Sequence, residues 1–186
     1  EIKDLGRGKK YDCIIGISGG CDSSFLLYKA KTLGLRVLAV TLDNTWSTEI
    51  AKENVKNMCD KLDVDLYTYF IDAQEFDDIS RSFLYASVPD ADIPSDIAIA
   101  SLYYKVMEEH DIPCSLCGHS FRTEGTVPLG WTYMDSKYIE SVQKQFGTMP
   151  IDTLLTLDMD YWLKNINKKR VRLLYYLEYQ KEEVKD

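Results

Sequence analysis

The sequence predicts an α/β protein built on a doubly wound, parallel β-sheet. Short apolar runs, typical of buried parallel strands, lie at 13–17, 37–42, 66–71 and 113–118. Longer segments with helical spacing separate these runs. Because parallel strands are joined by right-handed crossovers, the carboxyl ends of the strands should meet at one edge of the sheet, where such folds bind ligands.

Helices are predicted between and after the strands, at 24–32, 49–62, 73–86, 95–110 and 136–146. Ser47 or Thr48 is a suitable cap for the second helix, and Ser95, which follows Pro94, is the expected cap of the fourth. Asp96 then lies in a first helical turn, where the helix dipole alone favours a carboxylate, so a structural role and a substrate contact are both open.

The expected domain organisation is a nucleotide-binding domain at 1–150 followed by a short, mainly helical C-terminal extension at 151–186. The pattern at 171–176 is too weak to assign, and 177–185 is expected to be a helix that is cut off. Since the sequence also begins without methionine, we expect it to be a fragment of a longer polypeptide.

The charge and cysteine content of the chain indicate which kinds of binding partner and which cellular compartment to expect. The formal net charge of −8 argues against a broad nucleic-acid surface and favours a small phosphorylated substrate. Basic residues do cluster near both ends, so a local tRNA-binding patch stays open; they are Lys3, Arg7, Lys9, Lys10, Lys164, Lys168, Lys169, Arg170 and Arg172. Five cysteines, with no signal peptide and no long apolar span, indicate a cytoplasmic protein without a membrane span.

The segment Ser18 to Ser24 reads S-G-G-C-D-S-S and connects the first strand to the first long helix. Main-chain N–H groups of such a turn can converge on an anion, and the helix dipole adds positive potential. Asp22 is a hard oxygen ligand suited to Mg²⁺ on a phosphate. No Gly-Lys-Ser/Thr follows the glycines, so this is not a P-loop, and a tight turn without a ligand is the alternative.

This loop resembles the pyrophosphate loop of the PP-loop ATP pyrophosphatases, which have the adenine nucleotide alpha hydrolase fold. The superfamily includes GMP synthetase, NAD synthetase, tRNA thiolases and lysidine synthetase. The resemblance implies that ATP is cleaved between its α and β phosphates. An oxygen of the substrate is adenylated, and a nitrogen or sulfur nucleophile then displaces AMP.

The fourth predicted strand carries a lone Cys-x-x-Cys pair, Cys114 and Cys117. Residues three apart on a strand point to opposite faces, so the two thiols are expected to belong to the core rather than to one metal site. His119 and Glu124 follow the strand at the ligand-binding edge. Glu124 could ligate Mg²⁺ together with Asp22, and His119 could contact phosphate or substrate, unless both belong to a solvated loop.

Further segments narrow the resemblance to the N-acetyl sugar amidotransferases of lipopolysaccharide and flagellar sugar biosynthesis. The segments are 40–46, 86–89, 93–96, 118–120 and 123–125, in order along the chain. The resemblance implies that ATP and ammonia convert the acetamido group of a nucleotide-linked sugar to an acetamidino group. Members of that family also carry a cysteine-bearing segment before the first strand and continue beyond the last helix here.

The resemblance implies the following roles. Pyrophosphate would be bound by Ser18, Gly19, Gly20, Ser23 and Ser24, and Mg²⁺ by Asp22 and Glu124. The adenosine part of ATP would meet the main chain around Val40 and Leu42, together with Asp43, and Gly118 would also belong to the ATP site. The sugar would face Asn44, Trp46, Asp96, His119 and Thr123, and the expected catalytic residues are Asp22, Asp96, His119 and Glu124.

A separate glutaminase subunit is expected to supply ammonia, because no cysteine of this chain has the setting of a glutaminase nucleophile. A homo-oligomer is compatible with the sequence, and nucleic acid is not an expected partner. Two alternatives stay open. One is a tRNA-modifying enzyme of the same superfamily, either a thiolase or lysidine synthetase, and the other is a module that binds ATP without cleaving it.

Overall fold

The protein has a five-stranded, all-parallel sheet with the order β3-β2-β1-β4-β5. The computed structural model describes residues 1–118, 135–161 and 163–164, and the main chain of 172–175. The strands are β1 (Cys13–Gly16), β2 (Val37–Asp43), β3 (Asp65–Phe70), β4 (Cys114–Cys117) and β5 (Arg172–Tyr175). The predicted α/β class and the four predicted strands are therefore confirmed.

The strands are accompanied by helices α1 (Ile2–Leu5), α2 (Cys21–Thr32), α3 (Glu49–Leu62), α4 (Ala73–Ala86), α5 (Ile93–Glu109) and α6 (Ser136–Phe146). Residues 159–161 and 163–164 are also helical. The hydroxyl of Thr48 caps α3, as predicted, by accepting from the N–H of Ala51 at 3.2 Å. The predicted cap at Ser95 is wrong. Helix α5 begins at Ile93 with Pro94 in its first turn, where proline's missing N–H costs nothing.

Each face of the sheet is covered by helices. Helices α2 and α3 pack on one face, around Ile15, Leu27 and Val55, and α5 packs on the other, around Ile14, Leu102 and Val106. A third apolar cluster joins α4 to α6. None of the helices in the described part of the chain is long and apolar enough to cross a membrane.

Strand β5 falls within the stretch for which the sequence predicts a mainly helical extension. It pairs in parallel with β4, with Cys114 opposite Arg172 and Cys117 opposite Tyr175. Leu154, which also follows residue 150, is buried in the cluster between α4 and α6. The chain beyond residue 150 thus contributes to both the sheet and the core. The helix expected at 177–185 lies outside the described residues.

The basic residues near the start of the chain lie at the amino edge of the sheet. Lys9 forms an ion pair with Asp111 at 2.6 Å, just before β4, and Lys10 with Asp65 at 3.2 Å, at the start of β3. Since the glycine loop follows the carboxyl end of β1, this basic cluster and the loop are at opposite edges.

Candidate functional site

The glycine loop turns the chain directly from β1 into α2. Gly19 has a φ of +79°, which favours glycine, and a Cβ there would lie 2.3 Å from the main-chain oxygen of Ala51. The side chain of Asn54 donates to the carbonyl of Gly19 at 3.3 Å. Helix α3 therefore packs tightly against the loop, and this position requires glycine for two independent reasons.

Serine hydroxyls hold the loop from within. Ser24 Oγ donates to the carbonyl of Gly20 at 2.6 Å, and Ser23 Oγ accepts from the N–H of Ser18 at 3.3 Å. Gly20 is the N-cap of α2 and has no side chain to cap the helix. The first N–H groups of α2 are thus left without a side-chain cap at the end of the helix that attracts anions.

A cavity of about 550 Å³ opens beside the loop at the carboxyl edge of the sheet. The predicted ATP and substrate residues that line it are Ser18, Gly20, Asp22, Ser23, Val40, Leu42, Asn44 and Gly118. Gly118 packs against the start of α2, since a Cβ on it would lie 3.5 Å from the Cα of Ser23. The cavity therefore brings together residues that follow β1, β2 and β4.

Asp22 is half-buried in the first turn of α2 and lines the cavity. A carboxylate at this place suits a hard cation that is also bound by phosphate oxygens. Its predicted partner Glu124 lies outside the described residues, as do His119 and Thr123. Within the ranges that the structure describes, no group of three or more His, Cys, Asp and Glu side chains is arranged to hold a metal.

Asp43 and Trp46 are held by neighbouring helices and do not line this cavity. Asp43 forms an ion pair with Lys52 of α3 at 3.1 Å and accepts from the N–H of Thr45 at 2.9 Å. Trp46 Nε1 donates to Asp77 of α4 at 2.7 Å, and its ring packs edge-on against Phe76. In this structure the contacts of both side chains hold the segment that follows β2 against α3 and α4.

Helix α5 forms a wall of the cavity that the sequence analysis missed. Its lining residues are Ser95, Ile99, Leu102 and Tyr103, which share one face of the helix. Asp96, the predicted substrate residue of this helix, is exposed and is not among them. The helical spacing was visible in the sequence, but an apolar helix face predicts core contact as readily as a ligand.

The two cysteines of β4 have different surroundings. Cys114 is fully buried against α2 and α3, and burial raises the pKa of its thiol to about 11. Cys117 is half-buried and lines the cavity, so the prediction that it belongs to the core is wrong. None of the five cysteines, all of which lie within the described residues, forms a disulfide bond.

A parallel sheet with a strand, an S-G-G-x-D-S-S loop and a helix at its carboxyl edge defines the class of this protein. The protein has the α/β adenine nucleotide alpha hydrolase fold of the PP-loop ATP pyrophosphatases. The family model described as "Queuosine biosynthesis protein QueC" matches residues 12–105, about half of the chain. The chain belongs to this family.

Comparisons with other proteins agree with this assignment. The chain is 34% identical over 80 residues to the tRNA-specific 2-thiouridylase MnmA of Hahella chejuensis, in a match that covers 38% of this chain. It spans about a fifth of the length of that relative, 22%.

Solved structures show the same fold at low identity. A glutamine-dependent NAD⁺ synthetase from Acinetobacter baumannii, in complex with ADP, matches with a TM-score of 0.52 at 14% identity, over 83% of this chain and 32% of that one. A predicted subunit of a tRNA methyltransferase from Methanocaldococcus jannaschii matches with a TM-score of 0.50 at 15% identity, over 93% and 73%.

Proposed function

We propose that this protein uses ATP to activate an oxygen atom of its substrate and then replaces that oxygen with nitrogen or sulfur. The observation that carries the proposal is the loop from Ser18 to Ser24, which opens into a cavity at the carboxyl edge of the sheet. A carbonyl oxygen is a poor leaving group, whereas AMP leaves readily, so adenylation makes the substitution feasible.

The reaction has two steps. The substrate oxygen attacks the α-phosphorus of ATP, the bond from that phosphorus to the oxygen bridging to the β-phosphate breaks, and pyrophosphate leaves. The nucleophile then adds to the activated carbon, the carbon–oxygen bond breaks, and AMP leaves with the substrate oxygen. The protein must hold the pyrophosphate and align the substrate with the α-phosphate.

The proposed roles of the chain's own residues follow from their positions. Main-chain N–H groups of the loop and of the first turn of α2 would bind the pyrophosphate. Main chain at Val40 and Leu42 would meet the adenosine, and Asn44 would face the substrate. Mg²⁺ bound to the phosphates would offset their charge, and Asp22 is the described residue suited to hold it.

The first substrate candidate is a tRNA or a precursor in queuosine biosynthesis. The family match and the thiouridylase relative favour this class over an acetamido sugar. The exposed Cys21, in the loop, and Cys117 both line the cavity, so thiol groups are at hand for a sulfur-transfer reaction.

The second candidate is a nucleotide-linked N-acetyl sugar whose acetamido group becomes an acetamidino group. The net charge of −8 supports a small substrate, as does the location of the basic N-terminal cluster, whose Lys9 and Lys10 are paired with carboxylates at the edge opposite the loop. For this reaction a separate glutaminase subunit would supply ammonia, in the cytoplasm.

The two candidates can be distinguished by measuring the AMP that is formed from ATP with each class of substrate. The full-length protein would be incubated with ATP and Mg²⁺, and with either unmodified tRNA and queuosine precursors or UDP- and CMP-linked acetamido sugars. Ammonium, sulfide and glutamine would be supplied separately. AMP formed only with tRNA or queuosine precursors supports the first candidate, and AMP formed only with a sugar and ammonium supports the second. ADP as the product in every mixture would contradict the proposal.

A further inference from the structure

The floor of the cavity contains a gap in the layer of side chains between the sheet and α5. Gly16, the last residue of β1, pairs with Val40 of β2 and offers no side chain to this layer. A Cβ on Gly16 would lie 1.5 Å from the hydroxyl oxygen of Tyr103 and 2.5 Å from its Cζ atom. The phenol of Tyr103 therefore occupies the place of the missing side chain.

The tyrosine reaches the cavity from the helix that forms its wall. Tyr103 lines the cavity together with Cys117 and Gly118 at the end of β4. Within the described ranges, its hydroxyl takes part in no hydrogen bond. A polar group that lines a cavity and lacks a protein partner is expected to bond to water or to a ligand.

The surroundings of this hydroxyl favour the protonated form that a phenol already has at physiological pH. Burial raises the pKa of Tyr103 well above its usual value, and the nearby thiol of Cys117 acts in the same direction. The phenol is therefore neutral at physiological pH and can donate one hydrogen bond.

The position of Tyr103 indicates which part of a nucleotide it would meet. Gly16 precedes the loop proposed to bind pyrophosphate by two residues, and its partner Val40 belongs to the region proposed to meet adenosine. The hydroxyl thus lies between the two regions, where the ribose and the α-phosphate would be expected.

We propose that Tyr103 is a further nucleotide-binding residue, which donates a hydrogen bond to a ribose or α-phosphate oxygen of ATP, and that Gly16 gives it the room to do so. This inference rests on the proposed occupation of the cavity by ATP. Neither residue is part of the S-G-G-x-D-S-S loop. The contact would therefore be a second nucleotide-binding element, formed by α5 and β1 rather than by the loop.

The test compares the full-length wild-type protein with Tyr103→Phe, measuring the dissociation constants of ATP, AMP and pyrophosphate by calorimetry. Loss of one hydrogen bond is expected to raise the dissociation constants of ATP and AMP by about three- to tenfold. Pyrophosphate, which has no ribose or α-phosphate, should bind as before. Tyr104→Phe is the matched control, because Tyr104 neighbours Tyr103 on α5 but packs against Tyr161 and does not line the cavity.

Gly16→Ala is a second, independent variant, because a methyl group there would displace the phenol. It should weaken ATP and AMP at least as much as Tyr103→Phe does, provided that melting curves show a folded protein. Unchanged ATP and AMP affinities in Tyr103→Phe would overturn the inference while leaving the proposed function intact. Failure of the wild-type protein to bind any of the three ligands would overturn both.

Discussion

Thr153 donates two hydrogen bonds to the same carboxylate oxygen of Glu75, from its N–H at 2.8 Å and from its hydroxyl at 2.7 Å. The other oxygen of Glu75 accepts from the N–H groups of Asp152 at 3.0 Å and Leu154 at 2.8 Å. Glu75 is only 3% exposed. A buried carboxylate of α4 thus holds the segment that follows α6 by accepting hydrogen bonds from the N–H groups of that segment.

Replacing Glu75 with Gln should destabilise the fold by about 2–4 kcal/mol, because an amide group would then face main-chain N–H donors that have lost an acceptor. The free energy of unfolding in urea measures the effect. Gln74→Ala, at the exposed neighbouring position, is the control and should change little. An unchanged urea midpoint in Glu75→Gln would show that the segment 152–154 is held by other contacts.

Asp78, one turn further along α4, makes the stability dependent on pH. It accepts from the N–H and hydroxyl of Thr148, both at 2.7 Å, and from the N–H of Met149 at 2.9 Å. Burial acts to raise the pKa of Asp78, but hydrogen bonds from Thr148, Arg81 and Met149 outweigh burial and hold the pKa well below its usual value.

Because the folded-state pKa is lowered, the contribution of Asp78 is fully present above the unfolded-state pKa of about 3.9 and is lost as the pH falls below it. The part of the urea midpoint that depends on Asp78 should therefore stay level from pH 7 to about pH 5 and should fall as the pH is lowered from there towards 3. In Asp78→Asn the protein should be less stable at pH 7 and should lose less stability on acidification. Parallel curves for the two proteins would assign the acid sensitivity to other groups.

The loop glycine can be tested with a matched glycine elsewhere. Gly8 and Gly19 both have a φ of +79°, but a Cβ at Gly8 would have no heavy atom within 4 Å, whereas at Gly19 it would meet the main chain of Ala51. Gly8→Ala should lower the free energy of unfolding by only about 1–2 kcal/mol, because alanine disfavours the left-handed backbone conformation.

Gly19→Ala should cost more than Gly8→Ala and should also weaken ATP binding, since the main chain of the loop must move away from α3. Thermal unfolding and calorimetric ATP titration of both variants check this expectation. Equal losses of stability and normal ATP affinity in both would mean that the loop can accommodate a side chain.

Asp22→Asn should abolish the formation of AMP and pyrophosphate while leaving the thermal stability close to that of the wild type, because the side chain is half-buried at the cavity and not in the core. Chromatography of the nucleotides after turnover measures this. Asp60→Asn, at an exposed position near the end of α3, is the control. Full activity of Asp22→Asn with an unchanged Mg²⁺ requirement would remove Asp22 from the proposed metal site.

Local sequence patterns were sufficient for the elements that carry the loop. The bounds predicted for α4 and α6 agree with the structure, and β1 to β4 were each found within two residues, because periodicity and turn residues are local signals. The loop itself was recognisable because six specified positions lie between a strand and a helix.

What the sequence could not reveal depends on distant partners. Glu75 and Asp78 in α4 would be expected on a solvated helix face, and they are buried only because N–H groups from residues 148–154 satisfy them. Likewise, the sequence predicts that Tyr103 packs in the core. Only the structure shows that its hydroxyl lies over Gly16, at the cavity. Strand β5 was missed because its few residues form a strand only beside β4.

The strand order also determines when the cavity can form during folding. Strand β1 pairs with β2, close in sequence, but its other neighbour is β4, so Ile14 is paired with Ser115 across about a hundred residues. Contacts over such separations form late and slow the folding reaction. During synthesis the glycine loop can therefore take shape early, while the wall that includes Cys117 and Gly118 must wait until β4 has left the ribosome and docked. A nascent chain that ends before β4 should bind nucleotide poorly, although it already contains the whole loop.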